Sequence, residues 1–381
     1  MSIRLIFLLT ILPHMAFAGA RVTLSLFALH LGATPLTVGM IISLIAVVPM
    51  FFSVRWGRLI DRTGVYVPMT VGASLVLTGV LLAFALPRIE TLFAVSVLTG
   101  SGFMLYHICV NHAAAQVGRP EDRTRNFSML ALAFSTSGFI GPVTAGFAID
   151  SIGYRYTFLL CAGFVIATLA LIRYRKRAIV RHHKRAAQST HAANDTDKRV
   201  ADLLRIPALL RILIISGLMS MCWDLYSFVM PIHGSAIGLS ASTIGLILGS
   251  FGCAIFLFRL ILPWVIHRVD ERLLLISTMV LTGVMLAIVP LVQSVPLLMM
   301  VSFVLGIGLG GTQPIIMAML YEKAPPGRGG EAVGMRTLLL NITQAAVPMI
   351  FGALGAVLGM TPVFFAMGAA LLWGAWYARK G

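Results

Sequence analysis

Charge is what this chain has least of. Asp, Glu, Lys and Arg make up 11% of its 381 residues, where a soluble domain carries about a quarter. Acids are the scarcest of all, with 13 Asp and Glu against 29 Lys and Arg, for a formal net charge of +16. Hydrophobic residues reach 59% and the mean hydropathy is +0.94, so no aqueous fold can cover the apolar surface this chain presents. Short alternating segments are missing too, which excludes a closed β-barrel. The four cysteines (Cys109, Cys161, Cys222, Cys253) all fall inside apolar runs at no metal-ligand spacing; they read as small apolar fillers, with no disulfide framework. Gly306-Ile307-Gly308-Leu309-Gly310-Gly311 lies within an apolar run and lacks the Lys-Ser/Thr of a phosphate loop, so helix packing or a bend explains it better. With no Walker motif, no metal cluster and no nucleophile beside a matched base, neither ATP hydrolysis nor enzymatic chemistry is expected, and no cofactor is called for.

Apolar runs of the length needed to cross about 30 Å of hydrocarbon as helix recur from end to end. Twelve fit, at roughly 4–30, 36–56, 66–87, 91–115, 126–149, 154–174, 208–233, 241–266, 272–293, 295–320, 332–357 and 361–378. The start imitates a secretory leader, with Arg4, an apolar run and Ala16-Phe17-Ala18. The apolar stretch resumes after Arg21, however, and completes a full span, so it is read as the first helix. Lys and Arg crowd into alternate loops (Arg55/Arg58/Arg62, Arg119/Arg123/Arg125, Arg173 to Arg211), with Arg88 and Arg155 as exceptions. That asymmetry places both termini and the central loop in the cytoplasm of a bacterial-type inner membrane. The basic stretch Arg173–Arg185 is thereby explained by topology and anionic lipid headgroups rather than nucleic acid.

The one long polar stretch, 175–207, divides the spans six and six, giving bundles at 1–174 and 208–381 joined by a basic linker. The halves repeat. Gly32-Ala33-Thr34-Pro35-Leu36-Thr37-Val38-Gly39 matches Gly238-Leu239-Ser240-Ala241-Ser242-Thr243-Ile244-Gly245 at an offset of 206, which also carries Arg62 to Arg268, Pro142 to Pro348 and Gly146 to Gly352. An all-α membrane protein of twelve transmembrane helices in two pseudo-symmetric six-helix bundles is expected. In such an architecture one half rocks against the other about a site near the midplane.

Two motifs give this pattern a family. The loop after span two reads Gly57-Arg58-Leu59-Ile60-Asp61-Arg62-Thr63-Gly64, and span five contains Gly138-Phe139-Ile140-Gly141-Pro142-Val143-Thr144-Ala145-Gly146. The chain thus resembles the major facilitator superfamily over essentially its whole length. The span-two motif matches the family's G-x-x-x-D-R-x-G loop, although the usually basic positions that follow are Val65 and Tyr66. The resemblance implies that Gly57, Asp61, Arg62 and Gly64 form a latch closing the cytoplasmic side; in the second half Asp61 maps to His267 and Gly57 to Pro263, a degenerate copy. The span-five motif is similar to the family's antiporter motif with Ala145 in place of a glycine, and Gly138, Gly141, Pro142 and Gly146 are expected to bring two helices close. One departure stands out: where many proton-coupled members carry an Arg in span four, this chain has Ser96.

Ionisable residues within hydrocarbon are costly and mark function. Asp224 alone among the acids falls deep inside a span, in the seventh, and Arg21 lies in its repeat partner, the first. Corrected for the offset, the two differ by three residues of helix, about 4.5 Å in depth, which makes them a candidate proton-coupling pair across the cavity. His107 maps onto Gln313, so both are candidate substrate contacts, with Asn111, Asn341 and Gln344, and with Trp223 and Tyr226 as aromatic walls. Arg259 and Arg336 approach the cytoplasmic ends, as snorkelling or gate residues. The expected function is secondary active transport of a small organic solute by alternating access, as export by proton antiport from a monomer in the bilayer. Uptake by facilitated diffusion or proton symport is the rival. An intramembrane enzyme or a non-transporting sensor is the alternative of another class.

Overall fold

The computed structural model describes residues 3–117, 123–180, 204–266, 268, 270–325 and 328–379. Within them the chain is helical throughout: α1 (Ile3–His30), α2 (Pro35–Thr63), α3 (Tyr66–Ala85), α4 (Ile89–Gln116) and the continuous segment Arg123–Tyr174. Gly153, at φ 83°, breaks that segment into antiparallel α5 (123–152) and α6 (154–174). Then follow α7 (Pro207–Ala236), α8 (Ala241–Ile266), α9 (Glu271–Ile288), α10 (Val295–Gly310), α11 (Thr312–Lys323), α12 (Gly329–Leu358) and α13 (Met360–Arg379). Eleven stretches among the described residues are long and apolar enough to cross a bilayer, and one of them, Arg125–Tyr174 with 50 residues, is two spans. Helices α10 and α11 share a single span, Val295–Leu320, with the glycine-rich run at the junction. The cysteines are free. Most of the linker, 181–203, lies outside the described residues, as does His267.

The turns follow the repeat. Of the five glycines with positive φ among the described residues, Gly32 and Gly238 form one pair at the 206 offset and Gly153 and Gly359 another. Only a residue without Cβ adopts that backbone cheaply, so the duplicated sequence imposes duplicated hairpin corners. Helix starts are equally local: Pro occupies the first turn of α2 and α7, where a missing N–H costs nothing.

Within the first half, α1 packs along α5 and α3 against α4; in the second, α8 packs on α10 and α9 on α13. The halves meet along two crossed seams, α2 with α12 and α5 with α8, and along a smaller α1–α7 contact. The face carrying the start of α1 and the end of α13 is the terminal face, and the opposite one the far face. Near the far face the seams are tight. A methyl group at Gly39 would strike the carbonyl oxygen of Pro348, and one at Gly245 would come within 2.6 Å of that of Pro142. Both contacts again differ by 206. The same seam sets Asp150, at the far end of α5, against the first turn of α8, where its carboxylate accepts from the N–H groups of Ala241 (3.2 Å) and Ser242 (2.7 Å). The repeat equivalent of Asp150 is Ala356, so this polar clasp exists on one seam only.

Candidate functional site

Three groups of polar side chains stand out within the helices, and one of them bonds across the halves. The first is Asp224 on α7, 3% exposed. Among the described residues it has neither a hydrogen bond nor a direct ion pair, with Arg21 or any other group. Arg21 stands on α1, which packs against α7 from the other half. A carboxyl so placed must be neutral, paired or hydrated.

The second group belongs to the first half and lies seven residues along α1 from Arg21, about 10 Å nearer the terminal face. His14 holds Ser137 of α5, Nδ1 to Oγ at 2.7 Å, and its ring lies 5.5 Å from Phe103 of α4 and 5.0 Å from Phe134 of α5. Phe17 stacks on Phe103 at 3.8 Å, and His107 lies 5.0 Å from Phe134. Asn111 donates to the backbone carbonyl of His107 at 2.8 Å and reaches its ring. The result is an aromatic and imidazole wall in which most side chains keep partial exposure. His107 and Asn111 are legible in the sequence, whereas His14, Phe17, Phe103 and Phe134 join them through packing between helices. The i, i+3 and i, i+4 steps His14–Phe17, Phe103–His107 and His107–Asn111 were the available signal.

The third group belongs to the second half. Arg259 of α8 donates to Ser135 Oγ at 2.8 Å and to the Ala131 carbonyl at 3.2 Å, both on α5. Its other contacts are longer: the Gly310 carbonyl at 3.4 Å and Gln313 Oε1 at 3.5 Å. Arg336 of α12 is 7% exposed and donates to Ser216 Oγ of α7 at 2.8 Å, with Met317 Sδ at 3.8 Å. Neither arginine snorkels to the surface.

Other expectations fare unevenly. Tyr226 is fully buried inside the second half and donates to Ser302 Oγ, so it forms no cavity wall here: its ring packs on Phe251, a neighbour no sequence spacing reveals. Trp223 is half-buried and meets Phe251 edge-on at 5.3 Å. Asn341 is half-buried and Gln344 exposed on α12. Gly57, Asp61 and Arg62 lie in the last turns of α2 rather than in a loop, and Gly64 makes the turn, its N–H bonding Ile60. A side chain at Gly57 would meet nothing within 4 Å, so no helix approaches it in this conformation; the Asp61 side chain lies outside the described residues. In the span-five motif, a Cβ at Gly141 would lie 2.9 Å from the Met15 carbonyl, and one at Gly146 would strike that of Ala241. Gly138 is looser, 4.0 Å from His14.

Twelve spans in two halves related by a fixed repeat, closing around sparse polar groups, define a polytopic transport protein. The chain belongs to the Major Facilitator Superfamily, whose model matches residues 6–239 and 212–380; it is a secondary transporter of a small solute and not an enzyme. It is 22% identical over 343 residues to the uncharacterized MFS-type transporter YuxJ of Bacillus subtilis, covering 84% of this chain and 82% of that protein. A shorter match, 26% identical over 153 residues, links 40% of this chain to 36% of the probable sulfoacetate transporter SauU of Cupriavidus necator. The fold matches the crystal structure of a POT family transporter in complex with a thioalcohol-conjugated peptide, at a TM-score of 0.81 and 16% identity over 99% of this chain and 95% of that one. Another POT family transporter, in complex with 5-aminolevulinic acid, gives 0.78 at 16% identity over the same shares.

Proposed function

We propose that this transporter exports a small organic solute in exchange for protons, with Asp224 as the proton-carrying group and Arg21 as the charge that modulates it. The supporting observation is a buried acid that has no direct partner among the described residues, on a helix packed against the one that carries Arg21 in the opposite half. Rocking of the halves changes the distance between those two charges. Because Coulomb energy in a low-dielectric interior falls steeply with separation, the carboxyl's proton affinity then differs between the two access states, which is what coupling requires. Export is supported by the span-five motif, and the Gly57–Gly64 segment is read as the latch of the opposite access state. The termini are assigned to the cytoplasm on the loop charges.

The test is flux in proteoliposomes under an imposed pH gradient, with entrapped pH dye and a panel of small organic acids and their neutral amides. The wild type should accumulate solute against its gradient while protons move the other way. Asp224→Asn should abolish the uphill component and keep downhill exchange. Full gradient-driven accumulation by this variant removes Asp224 from coupling, and protons moving with the solute would make the protein a symporter.

A further inference from the structure

Two arginines inside a membrane protein, Arg259 and Arg336, call for anionic company, and among the described residues none is bonded to them. A guanidinium offers five N–H donors in a planar fork that matches an oxyanion. Arg336 finds one hydroxyl and a thioether sulfur at 3.8 Å, and sulfur is a weak acceptor. Arg259 finds one hydroxyl and carbonyl or amide oxygens at 3.2–3.5 Å. All these partners are neutral, and several are at the outer limit of hydrogen bonding.

The two side chains also converge. Arg259 reaches Gln313, and Arg336 reaches Met317. These positions are four residues apart on α11, neighbours on one helix face about 6 Å apart. Gln313 is exposed, unlike the core of its helix, and is the repeat partner of His107 in the first half. Ser216, which holds Arg336, lies eight residues along α7 from Asp224, about 12 Å toward the terminal face. The arginine pair is therefore separate from the coupling acid.

We propose that Arg259, Arg336 and Gln313 form an oxyanion-binding subsite, so that the transported solute carries a compact anionic group such as a carboxylate or sulfonate. This rests on the transport reading given above and names its substrate class. The anion would replace the long Arg259 contacts to Gly310 and Gln313 and supply charge-assisted bonds to both forks. Arg259 also reaches Ala131 and Ser135 on the other half, so the anion competes with contacts that join the halves and favours one access state through its differential affinity.

The experiment is thermal melting of the full chain, purified in detergent without added lipid, titrated with malonate or sulfate at constant ionic strength against chloride and acetamide. Either oxyanion should raise the melting temperature saturably in the wild type, and acetamide should not. Arg259→Gln and Arg336→Gln should each weaken half-saturation about tenfold, the loss expected for charge-assisted bonds. Arg259→Lys, which keeps charge without the fork, should fall between. If Arg336→Gln fails to fold, Arg259→Gln and Gln313→Ala carry the comparison. No saturable effect in the wild type, or the same half-saturation in wild type and variants, overturns the subsite. Oxyanion binding that depends on the arginines while Asp224→Asn retains gradient-driven accumulation leaves this subsite standing and sinks the coupling role of Asp224.

Discussion

Tyr226 and Asp224 sit two residues apart on α7 and illustrate how different the fates of neighbouring polar groups are in a membrane interior. The Tyr226 hydroxyl has a partner, Ser302, in its own half, so its polar atom is satisfied and its ring serves packing. Tyr226→Phe should therefore lower stability by about 1 kcal/mol, the usual net worth of one such bond, while leaving the substrate concentration for half-maximal flux unchanged. A melting curve and a flux titration on the same preparation check both halves of that expectation. Asp224 has no such partner, and its substitution should act on coupling more than on stability. A static Arg21–Asp224 pair predicts the reverse: a lower melting temperature for Asp224→Asn that is partly restored by adding Arg21→Gln.

Among the elements, the α5–α8 seam carries both a close backbone approach and a polar clasp. The carboxylate of Asp150 binds two N–H groups at the start of α8, where unsatisfied donors and the helix dipole favour negative charge. That clasp belongs to the conformation in which the far face is closed, so it contributes to that state alone. Asp150→Ala should weaken the closed far face by about 1 kcal/mol, a severalfold shift in the ratio of access states. Spin labels placed on the far ends of α5 and α8 should report a larger population at long distance. Gly146→Ala should push the same way and further, since its Cβ would meet the Ala241 carbonyl and backbone cannot yield as a side chain can. An unchanged distance distribution in both variants would assign the seam no part in gating.

For the whole molecule, the proposed orientation rests on charge. The terminal face carries Arg62, Arg125, Arg173 and Arg272, and positively charged loops stay on the cytoplasmic side. A cysteine placed in the linker, as Thr190→Cys in a background with the native cysteines replaced, should resist an impermeant thiol reagent in intact cells and react once the membrane is opened. Labelling from outside would invert the proposed topology.

The one-dimensional pattern determined the class, the number of spans and the repeat, because hydrocarbon forces each backbone to satisfy itself as helix and because duplication leaves its register in the chain. Gly153 and Gly359 show this down to the backbone angle. Asp224 was legible for the same reason: an acid in an apolar run stands out. Direction was not legible. Whether Tyr226 turns to Ser302 or to a cavity, whether Arg259 reaches lipid headgroups or Ser135 on the other half, and whether His14 meets His107's wall depend on helix rotation. Rotation is fixed by packing between helices distant in sequence. The convergence of Arg259 and Arg336 on one face of α11 is of this kind, since residues 77 positions apart in the chain become neighbours only when the helices of the second half have packed together.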